Sequence, residues 1–294
     1  MVFLFRLLSW LPLSWLHSLG AVAGRLAFAC SARLRRHGEE NLAQAGLPAS
    51  PLNRLSAAHA GRTLFELPKL WGRPAAEVAA RVVRVSDWSL VEGAWASGRG
   101  ILFLTPHLGC FEITAQYYAA HRPMTVLYRR PKKNWLAPLM EAGRGANLKL
   151  APADLSGVRS LIRNLRQGEA VGMLPDQVPG QGEGTWLPFF GRPAYTMTLA
   201  ARLSETGATV LLAYAERLPR GAGYHLRLFP LPHPLTGTVE EKAAQINKAL
   251  EDLIRQCPEQ YLWGYNRYKR PSGAPPAPAF PLEKPSDAGQ GKGT

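Results

Sequence analysis

The chain has 294 residues, of which 46% are hydrophobic and 19% charged. That length allows one large domain or two modest ones, and the composition excludes a disordered, collagen-like or coiled-coil protein. The formal net charge of +14 points to a polyanionic partner: nucleic acid, an anionic membrane surface or acidic substrates.

Residues 3 to 34 read FLFRLLSWLPLSWLHSLGAVAGRLAFACSARL. The uncharged apolar stretch between Arg6 and Arg25 sits at the short end of what crosses a bilayer. Pro12, His17 and three serines weaken it as a span, whereas Trp10 and Trp15 suit the headgroup region. A signal peptide competes, and LAFAC ending at Cys30 has the look of a poor lipobox, but Arg25 interrupts the run where such a peptide stays uncharged. Arg33, Arg35 and Arg36 follow and keep the next segment in the cytoplasm by the positive-inside rule. A buried amphipathic helix of the fold is the alternative. The reading is a retained membrane anchor over residues 1–36, spanning or interfacial.

Residues 41 to 98 carry helical patterning, as in RLSAAHAGRTLFELPKLW and DWSLVEGAWASG. ILFLTPH (101–107) is a continuous apolar run, the mark of a strand buried on both faces. LGCFEITAQYYAAH switches to helical spacing, MTVLYR (124–129) is a strand, KNWLAPLMEAGRG a helix and LKLAP a short strand. Asp154 caps a helix closed by Gly168, and AVGMLPD is a further buried strand. A helix spans 196–206, then ATVLLAYAERL and YHLRLFPL pair across a Gly-rich hairpin. Thr238 and Glu241 form a capping box for a last helix that Pro258 stops. Alternating strands and helices imply an α/β fold, a mostly parallel central sheet flanked by helices. The domain is expected over 37–270, followed by a disordered Pro/Gly-rich tail over 271–294.

TPHLGCFE places His107 just past a buried strand and Glu112 early in the next helix. A histidine held by a carboxylate is a general base, and amides around Leu108 and Gly109 offer oxyanion donors. The spacing also suits a merely structural histidine. HExxH and GxSxG are absent, His107, Cys110 and Glu112 lack the spacing of a closed zinc site, and the GxGxG at 180–184 precedes no helix. Cys110 is a weaker candidate, a thiol nucleophile or plain packing. The three cysteines form no CxxC pair, which fits a reducing compartment. A base with no protein nucleophile implies that the substrate supplies one, such as a hydroxyl.

The chain resembles the bacterial lipid A late acyltransferases, the lauroyl/myristoyl branch of the lysophospholipid acyltransferase superfamily. The resemblance runs in order through SWLPLSWLHSLGAVAGRLAF, EENLAQA, TPHLGCFE, YRRPKKNWL, EAGRG, GEAVGMLPDQVPGQGEGTWLPFFGRPAYT, AARLSETGATV and EQYLWGYNRYKRP. It implies a glycerol-phosphate-acyltransferase-like fold and acyl transfer from acyl carrier protein to a hydroxyl of a lipid A precursor. The place is the cytoplasmic face of the inner membrane, with no metal, cofactor or nucleic acid. By the same resemblance His107 deprotonates the acceptor and Glu112 orients the imidazole. Arg144 and Asp176 match the family's further site positions. Arg129 and Arg130 are candidates for phosphate or carrier contact, or a solvated basic turn. Trp186, Phe189 and Phe190 line an acyl groove or pack the core. Asn266, Arg267 and Arg270 match the closing motif without a role to derive. The competing readings are transfer to another lipid acceptor (a lysophospholipid, ornithine-type lipid or other glycolipid) and a non-catalytic basic membrane or nucleic-acid binder.

Overall fold

A computed structural model describes residues 2–128, 136–143, 148–180 and 182–278. The first thirty residues do not form one helix. Pro12, with no amide hydrogen to donate, separates α1 (Val2–Trp10) from α2 (Leu13–Cys30). Next come α3 (Ala32–Gln44) and α4 (Ala49–Gly72). Among the described residues no helix is long and apolar enough to cross a membrane.

Instead α2 lies along α4. Its Leu13, Leu16, His17, Gly20, Ala21 and Gly24 face inward. The two backbones nearly touch, since a Cβ placed on Gly61 would stand 1.9 Å from the Gly20 carbonyl oxygen. The opposite face of α2 carries Trp15, Leu19, Val22 and Leu26, all exposed and spaced along one helical stripe. Lys69 ties down α1 by donating to the Ser9 and Leu11 carbonyls at 3.0 and 2.7 Å.

The remaining elements are α5 (Ala75–Ala79), β1 (Val82–Ser86), α6 (Ser89–Ala96), β2 (Ile101–Leu104), α7 (Phe111–Ala119), β3 (Met124–Tyr128), α8 (Leu136–Gly143), β4 (Leu148–Pro152), α9 (Leu155–Arg166), β5 (Ala170–Met173), β6 (Gly184–Phe189), β7 (Arg192–Met197), α10 (Leu199–Ser204), β8 (Thr209–Arg217), β9 (Tyr224–Pro230) and α11 (Val239–Ile254). Seven strands form one sheet in the order β1-β9-β8-β2-β5-β3-β4, parallel at every pairing except β8 with β9. β2 is central and buried throughout. Its Leu102 and Leu104 point into a core shared with α9, α10 and α11, and its Ile101 and Phe103 into a core shared with α4, α6 and α7. The α/β expectation holds, as do the Asp154 cap and the capping box of Thr238 and Glu241.

Three strands have no counterpart among the sequence expectations. β1 is a short edge strand within a segment patterned as helix. β6 and β7 form a separate antiparallel hairpin in which Phe189 pairs with Arg192. Its two-residue loop, Phe190 and Gly191, has φ of 48° and 72°, a primed turn that normally takes Asn-Gly. Phe190 tolerates that backbone because its ring is buried against Phe189 and Trp263 and its amide donates to Glu251 at 2.6 Å.

The closing segment 258–270 wraps back over these layers. The Asn41 amide on α3 donates to the Trp263 and Tyr265 carbonyls, and the Ser56 hydroxyl on α4 to that of Tyr261.

Candidate active site

β2 and β5 are parallel neighbours, and Leu104 stands opposite Met173 at their carboxyl ends. Three residues further along each chain come His107 and Asp176. Equal offsets from a paired register bring them together, at the strand ends where open α/β sheets place their ligands. The Asp176 carboxylate accepts from the His107 backbone amide at 2.9 Å and from its Nδ1–H at 2.8 Å. Asp176 is buried, while the His107 side chain keeps 16% of its surface exposed. Burial alone would raise the Asp176 carboxyl; His107, through its charge and both hydrogen bonds, and Arg267 outweigh that and hold it below its ordinary value.

The turn carrying His107 is built tightly. Gly109 sits at φ +59°, and a Cβ there would stand 2.1 Å from the Ala215 carbonyl oxygen, so only glycine lets the turn pass against β8. Here the sequence expectation is corrected. The Leu108 amide donates to Pro106 at 2.7 Å and the Gly109 amide to Gln260 at 3.2 Å, so neither is held out for an oxyanion. Cys110 is fully buried, and burial pushes its thiol well up, which removes it as a nucleophile.

A second correction concerns the carboxylate behind the imidazole. Nδ1 of His107 is taken by Asp176, not by Glu112. Glu112 opens α7 and accepts from the Trp71 indole at 2.8 Å and the Gln116 amide at 3.5 Å. Trp71 does not stand out in the sequence: it ends α4, forty-one residues upstream. It is buried, its ring stacks on Phe5 of α1, and the Gly143 end of α8 presses against its backbone. Arg129, Arg130 and Arg144 lie outside the described residues. Phe189 and Phe190 belong to the core, and the Trp186 indole donates to the Pro275 carbonyl at 3.0 Å.

The His107 ring packs on Phe111 at 4.7 Å, and Phe111 in turn forms part of the wall of a cavity of about 30 Å³ between α7 and the sheet. Its walls are mostly apolar, among them Phe103, Phe111, Tyr118, Met124, Met173 and Leu226. Among the described residues no group of three or more His, Cys, Asp or Glu is placed to hold a metal ion.

Residues 1–270 match the family model described as bacterial lipid A biosynthesis acyltransferase. The lipid A biosynthesis lauroyltransferase of Escherichia coli (strain K12) is 30% identical over 221 residues, 73% of this chain and 71% of that protein. The lipid A biosynthesis palmitoleoyltransferase of the same organism is 30% identical over 201 residues, 65% of each chain. A lipid A biosynthesis acyltransferase of Haemophilus influenzae (strain ATCC 51907 / DSM 11121 / KW20 / Rd) is 26% identical over 180 residues, 59% of this chain and 55% of its own.

Proposed function

Because the chain belongs to the bacterial lipid A biosynthesis acyltransferase family, we propose that it is an O-acyltransferase of the lauroyl/myristoyl type. It moves a fatty acyl chain from acyl carrier protein to a hydroxyl of a lipid A precursor. The observation that carries the mechanism is the hydrogen-bonded pair of His107 and Asp176 at the adjoining ends of β2 and β5.

With Nδ1–H donated to Asp176, Nε2 is the basic nitrogen. It takes the proton of the acceptor hydroxyl as the oxygen attacks the thioester carbonyl, and the buried carboxylate stabilises the imidazolium that forms. The tetrahedral intermediate collapses, its C–S bond breaks, and the departing thiolate takes the proton back from Nε2. Ester and free carrier thiol are the products. Glu112 supplies a second carboxylate at the start of α7, held by Trp71 rather than by the imidazole. Arg144, by resemblance, is a candidate for substrate binding or for the oxyanion, and Arg129 for contact with phosphate or with the carrier protein. The cavity beside Phe111 suits the acyl tail. At about 30 Å³ it has room for about two waters, so the chain must displace its walls, and Met124 and Met173 are adaptable enough to yield.

The place of action in this reading is the cytoplasmic face of the inner membrane, with α1 and α2 lying in its plane. Phe3, Leu4, Leu7 and Trp10 of α1 are exposed as well, with Trp10 70% and Trp15 62% exposed. No acidic residue occurs in residues 2–30, while Arg6 and Arg25 are exposed. An apolar, tryptophan-bearing face with cations beside it and its other side packed on α4 suits an anionic leaflet approached flat.

The test supplies purified protein with carrier protein charged with a ladder of saturated chains and a lipid A precursor, and reads the lipid by mass spectrometry. Transfer by wild type that His107→Ala abolishes is the expected result. Equal transfer by the two proteins sinks the mechanism, and transfer only to lysophospholipids or amino-lipids moves the acceptor.

A further inference from the structure

Glu112, by resemblance a carboxylate of the site, is held by a side chain whose own support comes from the amino-terminal helices. The Trp71 indole donates to it at 2.8 Å, and Trp71 is the last residue but one of α4. That end of α4 is also where α1 is gripped. The Phe5 ring of α1 stacks on the Trp71 ring, with centroids 6.1 Å apart and planes 24° from parallel. Lys69 donates to the Ser9 and Leu11 carbonyls, and the Arg73 guanidinium lies 3.8 Å from the centre of the Trp10 ring. A Cβ on Gly72 would stand 2.7 Å from that of Ser9, so α1 lies directly on the helix end. Lys69 to Arg73 form one grip on α1, and Trp71 is the part of it that reaches the site.

The indole N–H lies in the plane of its ring, so whatever fixes that plane aims the donor. Phe5 lies against the ring, and the Gly143 end of α8 presses on the Trp71 backbone from which the ring springs. A helix that served only as an anchor would need its exposed face, Phe3, Leu4, Leu7 and Trp10, and nothing of this kind on its inner one. Resting on the reading of this site as an acyltransferase centre, we propose that Trp71 is a positioning residue for Glu112 and that α1 keeps it in place through Phe5. The helix assigned to the lipid surface is then part of the frame of the site. Unseating it frees the indole and releases Glu112 from its place at the start of α7.

Positioning and docking predict different kinetics. A lost docking contact weakens capture of the lipid acceptor and appears in KM, whereas a misplaced Glu112 appears in kcat. The experiment measures both for the full chain, with acyl-charged carrier protein and a lipid A precursor in mixed micelles. Phe5→Ala is expected to lower kcat about fivefold, less than removal of the donor itself, because the indole is loosened and not lost. Phe5→Tyr keeps a ring on the indole and restores the wild-type kcat. Gly72→Ala drives Ser9 away while leaving Phe5, Trp71 and Glu112 intact; it lowers kcat likewise and decides the matter if Phe5→Ala does not fold. Leu7→Ser, on the exposed face, raises KM instead. In a Glu112→Gln background Phe5→Ala costs nothing further, because the carboxylate it helped to place is gone.

An unchanged kcat in Phe5→Ala and Gly72→Ala overturns the proposal, as does a Leu7→Ser profile matching theirs. A full additional loss from Phe5→Ala in the Glu112→Gln background overturns it too, and so does a Glu112→Gln protein as active as wild type. Failure of the underlying reading looks different, with equal transfer by wild type and His107→Ala. If wild type transfers, His107→Ala does not and the Phe5 variants keep the full rate, only the role of α1 and Trp71 falls.

Discussion

Two buried carboxylates, Glu66 and Asp176, sit in this molecule with similar burial and very different company. Glu66, on α4, accepts from Arg217 Nε at 2.9 Å and its terminal nitrogen at 2.6 Å, from Tyr224 at 2.9 Å and from His17 at 3.1 Å. Burial works against its charge, but Arg217 and the hydrogen bonds of His17 and Arg217 win, and its carboxyl is held at about 2. Every one of those partners is itself inside the protein. Asp176 instead spends two of its bonds on one residue, and that residue reaches the surface. A carboxylate sealed by a permanent cation stitches α2 and α4 to β8 and β9. A carboxylate that holds an imidazole with one edge open can take part in proton transfer. The chemistry of the acid is the same; the titratability and exposure of its partner separate frame from site.

The comparison breaks most sharply at the partners. His107→Ala is expected to cut acyl transfer by about 10²–10⁴-fold while the thermal melt stays near that of wild type; a comparable loss of melting temperature would mean that the imidazole belongs to the frame after all. Glu66→Gln should do the reverse. Denaturant unfolding is expected to show about 3–5 kcal/mol lost, because Arg217 is left buried and uncompensated, with activity per folded molecule preserved. The pH dependence sharpens the same contrast. Glu66 is depressed in the folded state, so its contribution is complete above its ordinary value and drains away as the pH falls toward about 2. Wild type should lose stability across that window more steeply than Glu66→Gln, and parallel curves would detach Glu66 from acid unfolding.

Trp71→Phe keeps the ring against Phe5 and removes only the indole donor to Glu112. A drop of about tenfold in kcat is expected from losing a hydrogen bond to a charged acceptor. If Glu112→Gln already shows that loss and the double variant shows no more, the two act as one unit. The smallest effect belongs to the outer stripe. Trp15→Ser should weaken co-sedimentation with anionic vesicles by about threefold to fivefold, since one ring is only partly withdrawn from water. Unchanged sedimentation would release that face from any role at a lipid surface.

The sequence makes a signal readable to the extent that it is local. β2 and the turn after it were legible because an unbroken apolar run ending in Thr-Pro-His is a local pattern, and His107 came with them. The identity of its partner was not. Asp176 is 69 residues away, and only the β2–β5 register brings it opposite, whereas Glu112, five residues on, was the near choice. Trp71 carries no local mark, since what defines it is burial beside another segment's carboxylate. The β6–β7 hairpin escaped because its turn is Phe190-Gly191, not one of the pairs that announce a primed turn. The amides of Leu108 and Gly109 looked open to an oxyanion because the sequence does not show the closing segment and the local turn that use them.

The close approach of α2 to α4 bears on how this protein can be handled. A tempting route to a more tractable fragment is to cut the chain near residue 36 and keep the carboxyl-terminal remainder. The Gly61–Gly20 contact makes that cut a removal of wall rather than of tether. It uncovers the backbones of Ala57 and Gly61, and it takes His17 away from Glu66. Such a fragment is expected to precipitate or to recruit another molecule's helix into the vacated seam. Detergents and tags are better chosen around the intact amino-terminal helices, with any fusion placed at the carboxyl end.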